Sequence, residues 1–112
     1  MSGNIVREVV VGAGLTEENL LAGSAFEFLR NRSFVSMGIV CSAVDGFVTI
    51  QAGGNVIAEE FPPQVEALAW PQTNEDFYFN TFGASGDRLV VRARNGSAGN
   101  LTFRIVVQIA DA

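Results

Sequence analysis

The chain has no histidine, no lysine and a single cysteine. These absences remove most familiar catalytic and metal-binding arrangements. Without histidine, a Ser-His-Asp or Cys-His unit cannot be assembled within one chain, and zinc sites built on Cys and His ligands are excluded by composition. One cysteine, Cys41, rules out an internal disulfide, and its apolar neighbours read it as a buried small residue. Charge is also scarce. Charged residues make up 17% of the 112 positions and hydrophobic ones 48%, against about 25% charged in an average domain. A short chain with so few charges is expected to hide part of its surface in an oligomer. The apolar runs are short and broken by Ser, Gly or charge, so no membrane-spanning helix of about 20 residues fits. The start, MSGNIVREVV, lacks the basic opening and apolar stretch of a signal peptide, and an untargeted product of the cytoplasm is expected.

The net charge of −5 argues against a binder of phosphate backbones, which needs a basic footprint. All seven positive residues are arginine, and Arg30, Arg32, Arg88, Arg92, Arg94 and Arg104 fall in three segments. Arginine carries a planar fork of donors and is weakly hydrated, which suits desolvated contacts between proteins. Coding in a GC-rich genome produces the same preference. Carboxylates are the remaining chemistry. Glu59 and Glu60 are neighbours on a strand and face opposite ways, so they cannot act together on one substrate. Glu75 and Asp76, with Asn74, offer oxygen ligands, but their spacing fits no calcium loop and a turn or capping role accounts for them. Gly12-Ala13-Gly14 is too short for a phosphate loop. No catalytic, cofactor-binding or metal-binding residue is assigned, and no enzyme is expected.

What is present is β-structure. In residues 87–109, Leu101, Phe103, Ile105, Val107 and Ile109 fall on every second position, as do Leu89, Val91 and Ala93 before them. A period of two places these on one face of a pleated strand. The intervening Asn95-Gly96-Ser97-Ala98-Gly99-Asn100 tolerates positive φ, and a long C-terminal antiparallel hairpin is expected. Residues 5–11 read as a first strand at an edge, where charge deters stray pairing. Thr16 is expected to cap a short helical turn that Gly23 ends. Residues 24–30 are a second strand candidate, with Phe26 and Phe28 on one face.

Residues 34–44 carry an apolar face of Val35, Met37, Ile39, Cys41 and Ala43, with Ser36, Gly38 and Ser42 opposite, where small residues imply close approach by another element. Asp45-Gly46 and Gly53-Gly54 then signal tight reversals, so residues 34–61 are expected to form a three-stranded meander. Pro62-Pro63 stops it. Residues 62–76 are expected to cross between sheets, and residues 76–82 to form another strand, with Phe77 and Phe79 on one face. The sum is all-β: a single antiparallel β-sandwich domain of about eight strands over residues 1–112, of jelly-roll or Greek-key type.

Two groups invite a binding reading. Trp70 beside Pro71, with Tyr78 nearby, fits an aromatic platform for a sugar ring; folded over one end of the sandwich, the same Trp70 would close the core. Arg92, Arg94 and Arg104 are expected to sit together on one exposed face, either solvated or paired with Glu59, Glu60 or Glu66 of a neighbouring copy.

The segment LAGSAFEF (21–28), the stretch 34–61 and the ending GDRLVVRARN (86–95) followed by 101–109 resemble small jelly-roll or β-sandwich structural proteins of bacteriophage virions, including capsid decoration and cement proteins. The resemblance covers most of the chain and carries no diagnostic motif, so no binding residue transfers from it. It implies a non-enzymatic virion component, made in the host cytoplasm, that forms a homo-oligomer, a trimer first of all, and binds the major capsid protein or another virion protein. It implies neither nucleic acid nor membrane as partner. The alternative is a carbohydrate-binding β-sandwich module using Trp70 and Tyr78.

Overall fold

The computed structural model describes residues 3–25, 27–66, 69–71 and 79–111. Its elements are β1 (Gly3–Val11), β2 (Thr16–Glu17), β3 (Ser33–Cys41), β4 (Gly46–Ala52), β5 (Asn55–Phe61), β6 (Gln64–Val65), β7 (Phe79–Gly83), β8 (Leu89–Asn95) and β9 (Leu101–Asp111). No helix occurs among the described residues. The strands form two sheets. One runs β1-β9-β3, with β7 and β6 sharing the far edge of β3, and the other runs β2-β8-β4-β5. Among the described residues, every strand pairing is antiparallel except that of β3 with β6.

The period-two pattern accounts for the core. Leu101, Phe103, Ile105, Val107 and Ile109 of β9 are buried, as are Val35, Met37, Ile39 and Cys41 of β3, Val48, Ile50 and Ala52 of β4, and Leu89, Val91 and Ala93 of β8. They join one hydrophobic cluster between the sheets. Each large aliphatic or aromatic side chain buried there contributes about 1.5–3 kcal/mol. The other side of β3 is covered too: Gly38 and Val40 are buried although they point away from that cluster.

Several expectations change. The C-terminal hairpin does not form, because β8 and β9 lie in different sheets. The segment 96–100 carries the chain across the sandwich instead of folding it back within a sheet. The meander fails for the same reason: β3 and β4 are in different sheets, and of the two turns only Gly53-Gly54 closes a hairpin, joining β4 to β5 with Ala52 opposite Asn55. Gly53 has a φ of 62°, and a Cβ there would lie 2.8 Å from Asp87 Oδ1. At Asp45-Gly46 the chain does reverse, with Asp45 at φ 72°, but into the opposite sheet. Gly46 is needed because a Cβ there would meet Cys41 Sγ at 2.7 Å and Phe103 Cζ at 3.0 Å.

Residues 16–22 contain the short strand β2 and turns in place of a helix, since backbone pairing with β8 supplies the hydrogen bonds a helix would have made. The strand expected over 24–30 is reduced to an isolated bridge between Phe28 and Arg88; Phe26 lies outside the described residues. The crossing between sheets comes early, at Pro62-Pro63, between β5 and β6. Of the strand expected over 76–82, Phe79–Gly83 is present and residues 76–78 lie outside the described ones.

Two buried asparagines bind this arrangement together. Asn95, 1% exposed, donates from Nδ2 to the carbonyls of Val11 (2.8 Å) and Gly99 (2.7 Å), while its Oδ1 accepts from Ser97 N and Oγ. Val11 ends β1 and Asn95 ends β8, so one carboxamide links the two sheets. Asn19 behaves as a substitute peptide along β8. Its Nδ2 donates to Leu89 O, and its Oδ1 accepts from Val91 N and Leu21 N. With Leu20 N donating to Val91 O, it caps a sheet edge that would otherwise be open.

Candidate interaction surfaces

The arginines singled out in the sequence do not share a face. Arg92 and Arg94 alternate with the buried residues of β8 and point outward from one sheet; Arg104 does the same on β9 in the other sheet. Each has a partner within the chain. Arg92 Nε lies 3.4 Å from Glu18, Arg104 Nε donates to Glu8 at 2.8 Å, and Arg94 bonds Glu60 while lying 4.4 Å over the ring of Phe47. Ion pairs at the surface are screened by water, so they position side chains more than they hold the fold. The Arg94 guanidinium lowers the Glu60 carboxyl below its usual range, and Glu60 in turn raises Arg94.

Among the described residues, Glu27 is the buried carboxylate and is held by two partners. Gly23 N donates to its Oε1 at 2.8 Å and Arg88 Nε to its Oε2 at 2.6 Å. The Gly23 amide first, and then Arg88, hold its carboxyl below the usual range, against the opposing effect of burial. Burial pushes the Cys41 thiol up, away from the thiolate form that reacts as a nucleophile.

Trp70 is 38% exposed and stands outside the core cluster. Arg104 lies 5.8 Å from its ring centroid, so the ring sits over the outer side of the β1-β9-β3 sheet. It does not close an end of the sandwich. Tyr78, its expected companion, lies outside the described residues, as do Asn74, Glu75 and Asp76.

Among the described residues, an aromatic site that sequence reasoning left unassigned lies at one end of the same sheet. Phe34 of β3 and Phe82 of β7 are register partners, with ring centroids 5.2 Å apart in an edge-to-face arrangement. Both are exposed, Phe82 at 61%. Arg32 lies 5.6 Å over the Phe82 ring. The signal was in the alternation: if Val35, Met37 and Ile39 face the core, Phe34 must face away from it.

Among the described residues, no group of three Cys, Asp or Glu side chains is placed to hold a metal ion. Searches of family models, curated proteins and solved structures find no match for this chain.

Proposed function

We propose that this chain is a non-enzymatic structural protein of a virion: a jelly-roll β-sandwich that assembles with itself and attaches to a viral shell, as a decoration or cement protein or a small capsid component. The observation that carries the reading is the nested pairing of the strands. β4 pairs with β5 innermost, then β3 with β7, β2 with β8 and β1 with β9 outermost. Wrapping that ladder on itself adds the contacts of β3 with β9 and of β4 with β8. A ribbon of four nested strand pairs rolled in this way supports the jelly-roll reading, a pattern found in viral capsid proteins.

A fold does not by itself assign a function. Further support comes from the missing histidine and lysine, the low charge and the exposed Phe34–Phe82 pair. The partners in this reading are further copies of the chain, as a trimer, and the major capsid protein or another virion protein; its place is the virion, after synthesis in the host cytoplasm. Quantitative mass spectrometry of virus particles purified from the source of this sequence tests it. The chain should be present at a fixed ratio to the major capsid protein, and its absence from clean particles contradicts the proposal.

A second reading, a carbohydrate-binding module, is favoured by one observation: Trp70 lies outside the core, with a partly exposed ring backed by Arg104. On this reading Trp70→Ala abolishes retention on a glycan array and leaves the circular dichroism spectrum unchanged. Equal retention by both proteins removes it.

A further inference from the structure

The self-assembly in the preceding proposal needs a contact surface, and the internal pairing narrows where it lies. Arg88, Arg92, Arg94 and Arg104 each face a glutamate of the same chain, and Arg7 donates to the Ala22 carbonyl. Arg30 and Arg32 remain. Both are exposed, and neither has a carboxylate partner among the described residues. They lead directly into the exposed Phe34–Phe82 pair, and Arg32 already covers one of its rings. Aromatic rings beside weakly hydrated guanidinium groups make up the kind of surface enriched at the centre of protein interfaces.

The matching charge is on the same molecule. Glu59 is exposed on the edge strand β5, and Glu66 follows β6, where it accepts from Gln64 Nε2. Among the described residues neither meets an arginine. Glu66 N donates to Cys41 O at the C-terminal end of β3, whereas Phe34 lies at its N-terminal end. Seven residues of strand separate Phe34 from the Glu66 end of β3 by roughly 23 Å, too far for Glu66 to meet Arg30 or Arg32 within one chain.

We infer that the surface formed by Arg30, Arg32, Phe34 and Phe82 docks onto the carboxylates of Glu59 and Glu66 of a second copy of this chain. The inference rests on the self-assembling reading above and names its contact. The two surfaces differ, so each copy can use one to reach the copy before it and the other to reach the copy after it. Closing that succession gives a ring, and a trimer is one such ring.

Light scattering on a sizing column, with circular dichroism as the check on folding, tests the contact. The double variant Arg30→Glu with Arg32→Glu should lose the native oligomer mass and elute as a folded monomer. Adding Glu59→Arg and Glu66→Arg to it reverses both sides of the contact and should restore the native mass. Phe82→Ser alone should shift dissociation to at least tenfold higher protein concentration. An unchanged mass in the double arginine variant would overturn this contact and leave self-assembly standing. A charge-reversed quadruple variant that stays monomeric would also overturn it. A wild-type monomer at every concentration would overturn both the contact and self-assembly, leaving particle composition to decide the virion reading.

Discussion

A few buried polar and small residues fix the crossings between the sheets. Asn19 satisfies three backbone groups, two on β8 and one at Leu21. Asn19→Ala leaves buried donors and an acceptor without partners and should lower stability by about 1–3 kcal/mol, measured as the midpoint of urea unfolding at unchanged slope. Gly46 has no room for a methyl group between Cys41 and Phe103. Gly46→Ala should therefore destabilise by about 1–3 kcal/mol through overpacking, and adding Cys41→Ala should recover part of the loss. Glu27 gives the chain an acid-sensitive link. Its folded carboxyl lies below the usual range, so its contribution is complete above that range and disappears as pH falls through the lowered value. Glu27→Gln should flatten the dependence of the melting temperature on pH in the acid range while changing little of its slope near neutrality. An unaltered acid slope would remove Glu27 from that role.

At the scale of elements, the central strand β9 pairs along its length with β1 on one side and β3 on the other. Hydrogen exchange should be slowest at its buried positions from Leu101 to Ile109 and faster in β5, which pairs on one side only and breaks register near Ile50. Comparable protection in the two strands would contradict the sheet order. The alternation that marks Leu101, Phe103, Ile105, Val107 and Ile109 as one buried face is local, and it was legible in the sequence. The sheet to which each strand belongs was not. Two strands paired in a hairpin and two strands facing each other across a core show the same alternation, so Asn95–Asn100 and Asp45–Gly46 read as hairpin turns although both cross the sandwich. Gly53-Gly54 differs in being the shortest possible link, and it alone was read correctly.

For the whole molecule, the composition announced few charges but not their pairing. Arg92, Arg94 and Arg104 drew attention because they alternate with apolar residues near the C-terminus, yet their partners Glu18, Glu60 and Glu8 come from distant parts of the chain. Such pairs are set by sheet order and cannot be read from spacing. The same limit hid Phe34 and Phe82, which become a pair only when β7 joins β3. Topology thus decides what is exposed: among the described residues of this two-sheet sandwich, Arg30, Arg32 and the rings of Phe34 and Phe82 lie at one end of β3.

The most direct test of this account is the native mass of the wild-type protein by light scattering at several concentrations on a sizing column. The account predicts a single closed species, a trimer, whose mass does not change with dilution across the micromolar range. A monomer at every concentration would contradict it.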